Sequence, residues 1–342
     1  MNEKNLHNIA LQLVANHKGL LAMDESTPTC NARFKALGMP ETIEARHRYR
    51  ELLITTPGLN TSISGVILYD ETFNQTLKDG KSFLQALADL AIIPGIKVDT
   101  GLANLAGFAD EKLTQGLDGL RERLQNYAGK GAQFAKWRSA FKIGAASPDQ
   151  VSINSNALQL AIYAALCQEC GLVPIVEPEV LMDGPHTIEQ CCMQTERVLD
   201  AVFHHLHSHR VLVEGLILKI NMILPGLQSP VQATPDEVAE KTVRSLLRYV
   251  PPAVPGIVFL SGGQTPDQAT LRLNVINARF KATSPWPMGF SFSRAIQQPV
   301  LAKWLGEDNN REAAQQLLIH RVRCNQAALN GDYHPQMENA GQ

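Results

Sequence analysis

The chain contains 342 residues with a mass of 37.5 kDa, and 44% of its residues are hydrophobic, which excludes an intrinsically disordered protein. Its 31 basic and 33 acidic side chains leave a formal charge of −2, so no overall field favours nucleic acid or an anionic membrane surface as a partner. The six cysteines are irregularly spaced, which argues against a disulfide framework. The first segment does not resemble a secretory signal, and no apolar run is long enough to span a membrane. We therefore predict a cytoplasmic protein.

Short apolar or β-branched segments alternate with amphipathic segments along the chain. The segments that we predict as strands are 19–23, 64–69, 92–98, 134–141, 173–177, 216–220, 257–260 and 288–292. Between them, apolar residues at helical spacing, such as Phe83, Leu87 and Leu90, indicate helices that pack on a parallel sheet. Because eight such units follow one another without a flexible linker, we predict an α/β fold with a single (β/α)8 TIM barrel over residues 1–330.

The apolar periodicity stops near Gly331, and we expect residues 331–342 to form a mobile C-terminal tail.

Polar side chains are concentrated where the predicted strands end, and this is the face at which such barrels place their active sites. In chain order they are Asp24, Glu25 and Ser26, Lys97 and Asp99, Lys136 and Arg138, Glu177 and Glu179, Lys219, Ser261, Gly262 and Gly263, Ser291, and Arg294. Side chains alternate between the two faces of a strand, so Lys136 and Arg138 share one face, as do Glu177 and Glu179. Charges buried together must neutralise one another. Charge at so many strand ends favours a functional site over unrelated structural ion pairs.

Lys219 lies in the apolar run 215–220. Burial in such a run lowers the pKa of a lysine, and a second cation such as Lys136 lowers it further, which leaves a neutral amine that can attack a carbonyl carbon and form a Schiff base. Glu177 and Asp24 are candidates for the proton transfers that this chemistry needs. The alternative is a lysine whose side chain extends from the strand end into solvent.

A phosphate site is predicted after the seventh and eighth strands. Ser261, Gly262 and Gly263 offer backbone amides, and Arg294 offers a charged donor. Taken alone, a Ser-Gly-Gly sequence is more often a simple turn.

Seven segments resemble motifs of class I fructose-bisphosphate aldolase, in the order of that family. They are GLLAMDEST at 19–27, GIKVD at 95–99, FAKWR at 134–138, VPIVEPE at 173–179, EGLILK at 214–219, LSGGQ at 260–264 and SFSR at 291–294. The resemblance implies reversible cleavage of fructose 1,6-bisphosphate to dihydroxyacetone phosphate and glyceraldehyde 3-phosphate. It also implies a cytoplasmic enzyme that needs no metal or other cofactor and is generally a homotetramer.

The resemblance also implies roles for five catalytic residues. Lys219 would attack the C2 ketone to form the iminium, and Glu177 would transfer protons to and from the carbinolamine. Asp24 would accept the C4 hydroxyl proton. Lys136 would orient that hydroxyl and keep Lys219 neutral, with Glu179 balancing the charge of Lys136.

The implied binding residues fall into two groups. The C1 phosphate would be held by Ser261, Gly262, Gly263, Ser291 and Arg294. The C6 phosphate would be held by Ser26, Thr29, Arg33 and Lys97, with Arg138 as a further candidate.

Three positions depart from the family pattern. Ser293 stands where the family usually has glycine, and Thr29 where many members have serine. Tyr333 is the last tyrosine, and the chain does not end in the tyrosine that assists protonation of the enamine in animal members. We therefore expect this protonation to be slower or to use another group.

Other interpretations stay open at this point. One is a Schiff-base aldolase or transaldolase with a different phosphosugar specificity, and another is a non-catalytic barrel that binds a partner protein. The cysteines around residues 167–192 are better explained as packing groups than as zinc ligands, and the histidine-rich run 204–209 as a solvated helix end.

Overall fold

The apolar segments form a closed barrel of eight parallel strands in the computed structural model, which describes residues 3–341. Within these residues the strands are β1 (Gly19–Met23), β2 (Ile63–Leu68), β3 (Ile93–Lys97), β4 (Leu102–Asn104), β5 (Lys112–Thr114), β6 (Phe134–Phe141), β7 (Val173–Val180), β8 (Ile217–Ile220), β9 (Ile257–Phe259) and β10 (Met288–Phe292). The barrel order is β1-β10-β9-β8-β7-β6-β3-β2, and β4 and β5 form a separate antiparallel pair. The predicted single (β/α)8 barrel is confirmed.

All eight predicted barrel strands are present, most of their ends lie within one residue of the prediction, and there are two larger differences. β7 continues to Val180, three residues beyond the predicted end, so Glu179 belongs to the strand itself. The short pair β4 and β5 was not predicted, because its exposed residues lack the apolar run that marks the barrel strands.

The helices lie around the barrel. Within residues 3–341 they are α1 (Glu3–Leu13), α2 (Thr27–Lys35), α3 (Ile43–Ile54), α4 (Asp70–Phe73), α5 (Phe83–Asp89), α6 (Leu120–Gly129), α7 (Gln150–Glu169), α8 (Ile188–Ser208), α9 (Pro235–Tyr249), α10 (Pro266–Phe280), α11 (Arg294–Trp304) and α12 (Arg311–Asn330). Short 3₁₀ helices cover Leu59–Thr61, Val213–Gly215, Asp308–Asn310 and Pro335–Gly341. In the described part of the chain, none of the helices is both long and apolar enough to cross a membrane.

Local sequence explains where several helices begin. Thr265 precedes Pro266, and its hydroxyl accepts a hydrogen bond from the Gln268 amide while the Gln268 side chain accepts one from the Thr265 amide. The same reciprocal cap, again followed by proline, starts α9 at Thr234 and Glu237. These caps turn the chain from the ends of β8 and β9 back along the outside of the barrel.

The interior of the barrel near the amino ends of the strands is apolar and well filled. Phe134, Ile175 and Ile217 are among its members, and Leu6 and Leu13 of α1 pack against the same cluster. Side chains of α1 therefore close the end of the barrel at which the strands begin.

Close packing explains the glycine in β3. A Cβ atom on Gly95 would lie 2.2 Å from the ring of Phe134, so only glycine fits beside that ring.

The segment after α12 makes specific contacts. Tyr333 donates a hydrogen bond of 2.8 Å to Glu338 Oε1, and Arg321 of α12 forms an ion pair with Glu338. Residue 342, the end of the predicted tail, lies outside the described residues, as do residues 1 and 2 of the predicted barrel domain. The mobility of the tail stays a prediction.

Candidate active site

A cavity of about 800 Å³ opens at the carboxyl ends of the barrel strands. Nearly all of the residues predicted for the site line it: Asp24, Ser26, Thr29, Arg33, Lys97, Lys136, Arg138, Glu177, Glu179, Lys219, Ser261, Gly262, Ser291 and Arg294. Gly263 is not among the lining residues. The structure thus brings together side chains that are far apart in sequence.

Lys219 is buried and points into this cavity from β8. It is 4% exposed, and its Nζ lies 3.1 Å from Glu177 Oε1. Ile217, two residues earlier, belongs to the apolar layer below, so strand alternation places both side chains inside the barrel. The alternative of a lysine extending into solvent is therefore wrong.

Lys136 is the central cation of the cavity. Its Nζ lies 2.6 Å from Asp24 Oδ2, 3.3 Å from Glu177 Oε2 and 3.9 Å from Asp99 Oδ2. Burial by itself would lower the pKa of Lys136, but these three carboxylates raise it well above its usual value. Lys136 therefore remains an ammonium ion throughout the physiological range.

Asp24 is held in its ionised form. Burial alone would raise the pKa of Asp24, but the ammonium of Lys136, together with the charges of Lys219 and Lys97, holds it well below its ordinary value. Lys97 in turn lies 3.0 Å from Asp99 Oδ1. The carboxylates and amines thus form one continuous network across the mouth of the barrel.

The loop after β9 forms one end of the cavity. A Cβ atom on Gly262 would lie 2.8 Å from Glu179 Oε1, so a side chain there would displace the glutamate. Ser291 of β10 is buried, and its hydroxyl has no hydrogen-bond partner in the described structure. Exposed Arg294 begins α11 close by. An unpaired hydroxyl, a glycine backbone and a guanidinium at one edge suit an anionic group.

Gly263, predicted at the C1 phosphate, is required by the local backbone, and its contact with phosphate stays a prediction. Its φ of +73° lies in the left-handed region, and a Cβ atom would lie 2.7 Å from Met182 Cβ. This glycine shapes the turn and does not line the cavity.

A second group of residues suited to an anion comes from β1, α2 and β3. The Ser26 and Thr29 hydroxyls lie 3.0 Å apart at the start of α2, where unpaired helix amides also favour an anion. Lys97 and Arg33 add positive charge on the same side. The cavity therefore carries two groups of residues suited to anions, one after β9 and β10 and one on β1, α2 and β3.

Comparison with known proteins agrees with this geometry. The family model for class-I fructose-bisphosphate aldolase matches residues 5–342. The fructose-bisphosphate aldolase of Dictyostelium discoideum is 50% identical over 95% of this chain and 91% of its own length. The cytosolic fructose-bisphosphate aldolase 5 of Arabidopsis thaliana is 51% identical over 92% of this chain and 88% of its own.

A solved structure gives the same result. The fructose-bisphosphate aldolase of Plasmodium falciparum, crystallised with TRAP and a small-molecule inhibitor, matches with a TM-score of 0.95 and 46% identity over 97% of this chain and 96% of that one. The chain belongs to the class I fructose-bisphosphate aldolase family. It is accordingly a lyase, and its reaction is the cleavage of fructose 1,6-bisphosphate.

One expected ion pair is different in this aldolase. Glu179 was expected to balance Lys136, but its Oε2 accepts a hydrogen bond from Arg138 Nε. The charge of Glu179, despite opposing burial, raises the pKa of Arg138 well above its usual value. Lys136 is balanced by Asp24, Glu177 and Asp99, because β7 places Glu179 two residues nearer the rim than Glu177.

A second buried network, around Glu25, escaped the sequence analysis. Glu25 Oε2 lies 2.5 Å from Arg50 Nη1, and Glu25 Oε1 lies 2.6 Å from Arg33 Nη1. Ser293 and Gln297 also donate hydrogen bonds to Glu25 Oε1, of 2.6 and 2.8 Å. Arg33, expected at the C6 phosphate, is thus held by protein groups in this structure, with its side chain 23% exposed.

Burial would raise the pKa of Glu25, but Arg50 and Arg33 lower it to about 2. This network explains why serine stands at position 293 in place of the glycine of the family. The Ser293 hydroxyl connects Glu25 to the start of α11. Glu25 is recognisable in the sequence because it follows a predicted strand. Arg50 and Gln297 are not, because they lie in the interiors of α3 and α11.

Tyr333 does not replace a C-terminal tyrosine in the site. It is buried, donates to Glu338 and does not line the cavity. The group that protonates the enamine is therefore not Tyr333 in this arrangement.

Proposed function

We propose that cleavage runs through a Schiff base on Lys219, with Glu177 and Asp24 as the proton-transfer groups and without a metal ion. The proposal rests on a buried series of contacts. Glu177 lies between the amines of Lys219 and Lys136, and Lys136 also contacts Asp24. In each contact the nitrogen and the carboxylate oxygen are within 3.3 Å of one another. A nucleophilic amine and two carboxylates in such reach of one another are what carbonyl condensation and aldol cleavage require.

In the first step, the neutral amine of Lys219 attacks the C2 carbonyl of the sugar and forms a carbinolamine. Glu177 Oε1, 3.1 Å from the amine, is placed to move protons between the nitrogen and the departing hydroxyl. Loss of water leaves the iminium.

Charge balance favours this iminium. When Lys219 is deprotonated for the attack, the network holds three carboxylates, Asp24, Asp99 and Glu177, against the two ammonium groups of Lys97 and Lys136. The positive iminium supplies the missing charge of this buried network.

In the second step, the C4 hydroxyl gives its proton to Asp24 and the C3–C4 bond breaks. The bonding electrons move into the iminium and form an enamine, while glyceraldehyde 3-phosphate leaves. Asp24 is ionised and so has a free lone pair for this proton, and Lys136 beside it stabilises the developing oxyanion. Protonation of the enamine at C3 and hydrolysis then release dihydroxyacetone phosphate.

The two groups of anion-binding residues would hold the two phosphates. Ser261, the Gly262 and Gly263 amides, Ser291 and Arg294 would bind the C1 phosphate. Ser26, Thr29, Lys97 and Arg33 would bind the C6 phosphate, with Arg138 as a further candidate.

We further propose that the enzyme is a cytoplasmic homotetramer. The cytosolic name of the Arabidopsis relative supports this location, while another relative is named chloroplastic. Sedimentation of the purified chain tests the tetramer, and a monomer at working concentration would refute it.

Turnover of fructose 1,6-bisphosphate by Lys219 variants tests the mechanism. Lys219→Ala and Lys219→Arg should both lose activity, because a guanidinium does not form the imine. Lys142→Arg, at an exposed lysine just beyond β6, is the matched control and should keep full activity. Activity of Lys219→Arg near that of the control would refute the Schiff base.

Two further assays test the remaining parts of the proposal. Turnover should persist in excess chelator, and full loss of activity would indicate a metal-dependent mechanism. Fructose 1,6-bisphosphate should be cleaved more efficiently than fructose 1-phosphate, and equal efficiency would refute a dedicated C6-phosphate site.

A further inference from the structure

Three potential metal ligands meet on the outside of the barrel, away from the catalytic cavity. His320 and Cys324 lie one turn apart on α12, and Glu338 reaches them from the 3₁₀ helix Pro335–Gly341. One ligand atom from each lies within 4.8 Å of the other two. None of the three lines the catalytic cavity.

The spacing of these atoms suits one small metal ion. Cys324 Sγ lies 3.6 Å from His320 Nε2, and His320 Nε2 lies 3.7 Å from Glu338 Oε2. Tetrahedral zinc, with bonds of about 2.0–2.3 Å, needs neighbouring ligand atoms roughly 3.3–3.8 Å apart. Two of the three pairs have this spacing, and the third, Cys324 with Glu338, lies within 4.8 Å, so small side-chain adjustments complete three coordination positions, with water in the fourth.

The surroundings orient the carboxylate of Glu338. Arg321 donates to Oε2, and the Tyr333 hydroxyl donates to Oε1, so the carboxylate is fixed by protein donors on both sides. Arg321 is itself anchored by a hydrogen bond of 2.8 Å to Thr270 Oγ1. Each carboxylate oxygen has a second lone pair, so Oε2 can bind a metal while it still accepts from Arg321.

Burial and access are also suitable. Cys324 is buried, whereas the side chains of His320 and Glu338 are partly exposed, which provides a path for an ion from solvent.

We propose that His320 Nε2, Cys324 Sγ and Glu338 Oε2 form a zinc site that fastens the C-terminal 3₁₀ helix to α12. The thiol proton of Cys324 leaves to solvent on binding. A thiolate with an imidazole favours Zn²⁺ over Mg²⁺ or Ca²⁺, which prefer oxygen ligands. The site has no part in the aldolase reaction.

Cobalt(II) is the probe for a first test with the full-length chain, because a thiolate bound to Co²⁺ gives a charge-transfer absorption that imidazoles alone do not. This property separates the proposed site from the histidine-rich end of α8, where His204 and His205 lie close together. We expect the band in the wild type and its loss on addition of excess Zn²⁺.

Variants then assign the ligands. The band should disappear in Cys324→Ser and Cys324→Ala and persist in Cys170→Ser, the matched control at a partly exposed cysteine. His320→Gln should weaken Co²⁺ binding at least about tenfold, the effect of losing one good ligand. No band in the wild type, or an unchanged band in Cys324→Ser, would overturn the proposal.

Hydrogen exchange tests the fastening of the 3₁₀ helix. Zn²⁺ should slow exchange in residues 335–341 of the wild type and Cys170→Ser but not of Cys324→Ser, while the turnover of all three stays the same. Equal exchange with and without Zn²⁺ in the wild type would overturn the fastening.

Discussion

The interior of the barrel holds two layers that are built from the same strands and differ in chemistry. On each of β6, β7 and β8, an apolar residue of the lower layer is followed two positions later by a charged residue of the upper layer: Phe134 by Lys136, Ile175 by Glu177, and Ile217 by Lys219. The layers are almost equally buried, since Phe134 is 0% exposed and Lys136 is 3% exposed.

The two layers therefore do not differ in how deeply they are buried. They differ in the groups that their side chains contact. The lower layer is stabilised by apolar contact with α1 and needs no specific pairing. The upper layer is tolerated only because carboxylates and amines lie within ion-pair distance of one another. Removing one side chain from each layer should therefore separate stability from catalysis.

After the loss of Lys219 itself, the largest effect on activity should follow Lys136→Met, which keeps most of the side-chain volume and removes the charge. Loss of the cation that stabilises the C4 oxyanion should reduce kcat by roughly 100- to 1,000-fold. Steady-state turnover of fructose 1,6-bisphosphate measures this, with circular dichroism to show that the variant is folded. A kcat close to that of Lys142→Met, an exposed control, would contradict the function assigned to Lys136.

The lower layer should respond in the opposite way. Phe134→Ala leaves a cavity in a filled interior and should reduce the free energy of unfolding by about 3–5 kcal/mol. Urea denaturation measures the loss, and Phe134→Leu provides a milder variant if the first does not fold. The kcat of the folded protein should stay close to the wild type. A selective loss of kcat would show that the layers are not separable.

The network around Glu25 predicts how stability depends on pH. The pKa of Glu25 falls from 4.5 to about 2 on folding, so its contribution is complete above pH 4.5 and is lost as the pH falls toward 2. The shift corresponds to about 3 kcal/mol. The difference in unfolding free energy between wild type and Glu25→Gln should therefore shrink as the pH falls from about 5 to about 3. A constant difference would contradict the ionised, paired Glu25.

The smallest effect should come from Ser293→Ala. It removes the hydrogen bond to ionised Glu25 and should cost about 1.5 kcal/mol in unfolding free energy. In a double-mutant cycle with Glu25→Gln the two losses should not add, because both remove the same contact. Full additivity would show that the hydroxyl acts elsewhere.

The charged residues of the upper layer can be predicted from the sequence more fully than the residues that they contact, and the reason is physical. Barrel strands appear as continuous apolar runs, so a charge at the end of a run, such as Asp24 or Lys219, is visible in the amino-acid sequence alone. Parallel strands in a barrel bring these ends together, which places the charges in one cavity.

The partners of those charges depend on packing between distant elements. Arg50 reaches Glu25 from a helix that carries no recognisable motif, and the length of β7 decides that Glu179 pairs with Arg138. A turn glycine and a ligand-binding glycine look the same in a sequence. Gly263 has the left-handed backbone of a turn and does not line the cavity, so its predicted contact with phosphate stays a prediction.

Covalent trapping tests the central claim, a Schiff base on Lys219 in the charged layer, most directly. The enzyme is reduced with borohydride in the presence of dihydroxyacetone phosphate, and the modified peptide is located by mass spectrometry. The adduct should lie on Lys219, and Lys219→Arg should remain unmodified. An unmodified Lys219 in an enzyme that still cleaves fructose 1,6-bisphosphate, or an adduct on another lysine, would contradict the mechanism.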